Sequence, residues 1–134
     1  MGDYKTITAQ ANADLSALQN CFVEANASTG KITAPTGPTS IAIIGVLLNA
    51  PDTAGDACTI QVEGIAYVKG DGDDHIPFNE VTADSSGKAG IAASTNAVLG
   101  YYYPADIEKS SAQTMAANDL VPVMLYDCKS IVKA

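Results

Sequence analysis

His75 is the single histidine of the chain, and histidine is the side chain whose ordinary pKa lies nearest neutrality. With Asp74 before it and Ser85 beyond it, the residue types of a hydrolytic triad are present. No Gly-x-Ser-x-Gly elbow accompanies them, and all three lie in turn-forming sequence. We therefore assign no catalytic residue, expect no enzyme activity, and read His75 as a solvated loop residue at the entry to a strand. Asp71, Asp73 and Asp74, with Glu80 beyond, are the carboxylates best spaced to wrap a calcium ion. Counted from Asp71, however, Ile76 holds the position where a calcium loop needs glycine, and Thr82 the position where it needs glutamate. A solvated turn is the better reading, and no metal site is assigned. Gly87-Lys88 lacks the upstream glycine of a phosphate-binding loop and is followed by Ala89 instead of Ser or Thr, so no nucleotide cofactor is expected. Cys21, Cys58 and Cys128 are odd in number, far apart and without a Cys-x-x-Cys, which supports neither a disulfide framework nor zinc. They read as buried free thiols.

What remains is binding chemistry. Tyr101-Tyr102-Tyr103 is a run of three aromatic residues, and consecutive residues of a strand point to opposite faces. At least one of these rings is expected at the surface. Tyrosine is enriched in protein interfaces because it buries a large ring while its hydroxyl stays satisfied. Plain packing in the barrel is one reading of the run; the other makes Tyr101, Tyr102 and Tyr103 candidates for a subunit interface.

The elements that would hold these residues are strands. Over 134 residues, 47% hydrophobic and 16% charged, the chain has the apolar content for one modest core and too little charge to be disordered. The net charge is −8, and every cation is a lysine. Without the forked donor of arginine, nucleic acid is an unfavoured partner. An acidic surface also repels anionic membranes, and the apolar stretch at 41–50 is too short to span one. The first residues lack the basic patch and apolar run of a secretory signal, so synthesis in a cytoplasm is expected.

Residues 41–48 are apolar on both alternating faces, as in a strand covered on each side. Residues 59–69 alternate, with Ile60, Val62, Ala66 and Val68 on one face and Gln61, Glu63 and Lys69 on the other; Gly64 marks a bulge or bend at the middle. Turn residues at 70–74 and 84–88 predict a hairpin at each. Residues 91–103 and 120–126 supply the last strands, the second with Val121, Val123 and Leu125 on one face. Asp14 can cap a single helical turn before Cys21-Phe22-Val23 turns strand-like, and 104–117 is the other place for a helix. Residues 26–40, with Pro35 and Pro38, separate strands. The fold class is therefore mainly β: a small β-barrel over 14–134 with at most one or two short helices, preceded by a flexible N-terminal arm at 1–13.

The order of several short motifs resembles the capsid cement (decoration) proteins of tailed bacteriophages. They are Asp14-Leu15-Ser16-Ala17-Leu18-Gln19 with Phe22-Val23, Gly30-Lys31-Ile32, the run from Ile44-Gly45-Val46 to Asn49-Ala50-Pro51, and Gly55-Asp56-Ala57. Val62-Glu63-Gly64, Val81-Thr82-Ala83-Asp84, Gly87-Lys88-Ala89, Val98-Leu99-Gly100 and Asn118-Asp119-Leu120-Val121-Pro122-Val123 follow in the same order. The tyrosine run departs from that pattern. The resemblance implies a tulip-like β-barrel similar to lambdoid head decoration proteins. It also implies a homotrimer on the outer surface of the virion head, with the major capsid protein as partner and capsid stabilisation as function. In that setting the arm, through Tyr4, Lys5, Thr6, Ile7 and Thr8, would bind the capsid by adding a strand to an exposed edge. The alternative from another class is an adhesion module that binds glycans or a host surface.

Overall fold

The computed structural model describes residues 5–103, 116–125 and 131–132. Eleven strands occupy them: β1 (Lys5–Gln10), β2 (Phe22–Ala25), β3 (Ile32–Thr33), β4 (Ile43–Leu47), β5 (Ala57–Lys69), β6 (Glu80–Ala83), β7 (Ala89–Ile91), β8 (Ala97–Val98), β9 (Gly100–Tyr102), β10 (Leu120–Leu125) and β11 (Ile131–Val132). Among the described residues the one helical element is a 3-10 turn at Ser16–Leu18. The Asp14 carboxylate starts it by accepting from the Ser16 amide at 2.9 Å and hydroxyl at 2.7 Å, which also lowers the Asp14 pKa. The expected helix at 104–117 falls almost wholly outside the described residues. Cys128 lies outside them too. Cys21 and Cys58 are free and buried, and burial raises both thiol pKa values.

The main sheet has nine strands in the order β3-β2-β4-β5-β10-β9-β6-β7, with β1 also on β5; β11 and β8 form a separate pair. The sheet curls into a half-barrel, so the mainly β, barrel-like architecture read from the residues is the one observed. β5 is its spine. Gly64 sits at φ 93°, a conformation that carries a penalty for any residue with a Cβ. There the strand changes partners: β1 pairs with Ala57 to Glu63, and β10 pairs with Gly64 to Lys69. The two lie end to end along the same side of β5.

The bend divides the core in two. Cys58, Ile60 and Val62 pack with Ala11, Leu15, Val23, Ile32 and Leu47. Ala66 and Val68 pack with Phe22, Val46, Val81, Tyr102, Val121 and Val123. The β2 and β4 neighbours Phe22/Val23 and Val46/Leu47 thus serve opposite clusters, which is why β4 is apolar on both faces; the covered strand is shorter than the expected 41–48, since Ile41 is 69% exposed. Gln61, expected on the solvent face, is instead buried. Its amide donates to the carbonyls of Glu63 (3.2 Å) and Ile65 (3.0 Å), capping groups that the bend at Gly64 removes from the ladder.

The curl closes through isolated bonds. The Phe22 amide donates to the Gly87 carbonyl at 2.7 Å, joining β2 to the β6–β7 turn. The proline-containing segment 34–40 crosses between them. The buried Glu24 carboxylate accepts from the Thr36 amide (3.0 Å) and the Ser40 hydroxyl (2.7 Å). On the other side, the Pro38 carbonyl accepts from the Ala97 amide and the Thr82 hydroxyl.

Two local expectations are revised. Turn residues 84–88 do form the β6–β7 hairpin, but 70–74 do not close a β5–β6 hairpin. The place beside β5 belongs to β10, so residues 70–79 instead carry the chain past β10 and β9 to β6. Residues 5–10, read as part of an arm, lie as β1 with their side chains exposed or half-buried. They are held to β5 by backbone pairing, by a surface Lys5–Glu63 ion pair at 3.9 Å and, at their end, by the fully buried Ala11.

Gly100 shows how closely strands approach. A Cβ there would lie 2.2 Å from the Met124 carbonyl oxygen. Gly100→Ala is expected to force β9 and β10 apart and cost about 1–3 kcal/mol, measured as a lower urea midpoint with an unchanged slope.

Candidate protein-binding face

The outward surface of the β5–β10–β9 half follows from register. Paired residues of neighbouring strands share a face, and Val68–Val121 and Ala66–Val123–Tyr102 are the inward rows. The outward rows are therefore Lys69–Leu120, Tyr67–Pro122 and Ile65–Met124–Tyr101. Tyr103 extends the middle row, since its amide donates to the Pro122 carbonyl at 2.9 Å. That bond also explains how a proline sits inside a paired strand. The carbonyl and absent N–H of Pro122 point toward β9, beyond the β9 residues that need a ladder partner. Phe78 ends the row, its ring 6.0 Å from that of Tyr103.

The result is an apolar aromatic face. Tyr67 is 59% exposed, Phe78 53% and Leu120 50%, with Met124 and Ile76 also exposed. Scattered apolar side chains on a surface are ordinary, but a contiguous group marks an interaction site. Among the described residues its charged side chains, Lys69 and Glu80, lie at the rim.

The loop that presents Ile76 and Phe78 is tied to β9 at its far end by two bonds. The Phe78 amide donates to the Tyr102 carbonyl (2.8 Å), and the Tyr102 amide to the Asn79 carbonyl (2.9 Å). Phe78 has φ 65°, a strained conformation for a bulky residue, and the loop holds its ring outward in that state. His75 lies beneath. The expectation of a solvated histidine is overturned: its exposure is 0%, and its ring packs 5.3 Å from that of Tyr102. The crossover at 70–79, which takes the place of the expected hairpin, tucks the imidazole inside, and burial lowers its pKa.

Of the tyrosine run, Tyr102 is 3% exposed and committed to this chain's own core, while Tyr101 and Tyr103 remain at the surface. Of the arm candidates, Lys5, Thr6, Ile7 and Thr8 are exposed on β1; Tyr4 lies outside the described residues. Both candidate sets run along the same side of β5. Sequence reasoning missed Tyr67, Phe78, Leu120 and Met124. The period-2 pattern of β5 and β10 carried the signal for three of them, because the face opposite the core residues is not polar. Among the described residues no group of three or more His, Cys, Asp or Glu side chains is placed to hold a metal; the Asp71 carboxylate accepts from the Asp73 amide in its own loop, and the Asp73 carboxylate from the Ile91 amide of β7.

No family model matches the chain, and a search of curated proteins found no match. Among solved structures, the chain is similar to the N base of head fiber gp8.5 of bacteriophage phi29. The TM-score is 0.63 over 95% of this chain and 98% of that one, at 16% identity. The two share a fold across nearly their whole length.

Proposed function

We propose that this protein is a structural component of a bacteriophage head, bound to the outer surface of the assembled shell through the major capsid protein and stabilising it, with no catalytic role. The observation that carries this reading is the likeness in fold, end to end, to a protein described as the base of a phage head fibre. The ordered cement-type motifs of the sequence support it independently. So do two exposed surfaces suited to protein contact: the strand β1 and the aromatic face.

The physical basis is linkage. A protein that binds the assembled shell and not its dispersed subunits stabilises the shell by mass action. Assembly as a homotrimer multiplies modest contacts through effective concentration. In this reading β1, through Lys5 to Thr8, meets the capsid, and Tyr103 with its neighbours meets other copies of the chain.

The test is co-sedimentation of the full chain with expanded shells of the cognate major capsid protein, followed by thermal disruption of those shells. Saturable binding at fixed stoichiometry with a raised disruption temperature is expected. Absence of binding, together with retention on a glycan array, would replace this reading by the adhesion one.

A further inference from the structure

The Asn79 side chain is oriented by its own bonds. Its Oδ1 accepts from the Ile76 amide at 2.8 Å, and its Nδ2 donates to the Glu80 carbonyl at 3.2 Å. The same Nδ2 lies 3.2 Å from His75 Nδ1, so Nδ1 must accept and the ring proton sits on Nε2. Nε2 is buried with no hydrogen-bond partner. A neutral imidazole with an orphaned N–H is a costly arrangement that native interiors seldom keep without reason.

We propose that His75 and Asn79 form an acid-sensitive latch beneath the aromatic face: protonation of the imidazole breaks the Asn79 bridge and releases the loop that holds Ile76 and Phe78. A proton on Nδ1 sets donor against donor at 3.2 Å. Rotating the Asn79 amide to restore an acceptor forfeits its bonds to Ile76 and Glu80, so the latch has no closed form that tolerates the charge. The charged ring does have a destination. Asp71, Asp73 and Asp74 of the same crossover are the carboxylates that act on it, and Asp71 and Asp73 are fixed by bonds to the Asp73 and Ile91 amides. From β9 the facing group is Tyr102, whose hydroxyl burial keeps protonated. Once the loop lets go, Phe78 leaves its left-handed conformation and the end of the aromatic row is lost.

The sign follows from burial. The closed latch binds its proton less readily than a solvated imidazole, whose pKa is 6.5. It is therefore fully formed above that value and is lost as pH falls through the lower, buried one. This device belongs to the chain itself and does not depend on what the aromatic face binds.

Hydrogen exchange of the full chain, read by NMR across a pH series, tests it. The reporters are the Ile76, Phe78 and Tyr102 amides, all bonded within the latch, and the references are the Phe22 and Leu47 amides of the sheet. As pH falls from 6.5 toward the lower, buried pKa of His75, protection factors of the reporters are expected to fall by up to about tenfold per pH unit, while the references hold. Asn79→Ala should show the low reporter protection already at neutral pH. His75→Gln, which keeps an acceptor for Asn79 but cannot titrate, should abolish the pH dependence. Reporter protection that stays constant while the His75 ring titrates, loss of reporters and references together, or an unchanged pH dependence in His75→Gln would each overturn the latch.

Discussion

Phe22→Ala is expected to cost this fold a large share of its stability. Phe22 is completely buried in the larger core cluster, beside Val46, Val81 and Val121. Its backbone amide makes the bond to Gly87 that brings the curled sheet back onto β2. Truncating a buried phenylalanine costs about 3–5 kcal/mol, against a total of about 5–15 kcal/mol for domains of ordinary stability. The site has little freedom to collapse around the void, because β2 is held on its opposite face by Val23 in the second cluster. The urea midpoint of the variant should fall by more than that of Gly100→Ala. A loss below about 1 kcal/mol would mean that the two clusters are not rigidly joined through β2.

That coupling was partly legible in the sequence. The two-sided apolarity within 41–48 pointed to a strand with protein on both faces, which holds for Ile43 to Leu47 but not for the exposed Ile41, and Gly64 marked the place where β5 bends. The partners could not be read. Whether β5 continues into β6 or is flanked by β10 depends on contacts some fifty residues apart, and turn residues at 70–74 look alike whether they close a hairpin or begin a crossover. His75 was misread for the same reason: the crossover, and not any local preference, buries it. Gln61 was misread because a bend creates unpaired carbonyls that an amide can cap, and alternation alone does not reveal them. The candidate site was legible in half. Alternation in Tyr101-Tyr102-Tyr103 required rings on both faces, and Tyr102 is the inward one, but the row that Tyr103 joins is assembled from β5, β10 and a loop.

Placing carboxylates in the middle of that row is the perturbation expected to act most strongly on assembly. Tyr67 and Leu120 are more than half solvent-facing or at the half-way point, 59% and 50% exposed, so Tyr67→Asp with Leu120→Asp should leave the melting transition nearly unchanged, as exposed substitutions do. Their effect on contacts between copies should be large. Each copy carries a net charge of −8, and like-charged molecules meet with least repulsion through surface free of carboxylates. The centre of the aromatic row is such a surface among the described residues, with Glu80 and Lys69 kept to its edge. Two aspartates there would be buried without partners in any contact between copies that covers the row, a cost of several kcal/mol. Sedimentation equilibrium over a range of concentrations should show association of the natural chain and a monomer for the double variant. A natural chain that stays monomeric throughout would remove this face as a subunit contact. Shell co-sedimentation of the double variant would then separate its two roles: retained pelleting assigns head binding to β1, and lost pelleting without loss of fold assigns it to the aromatic row.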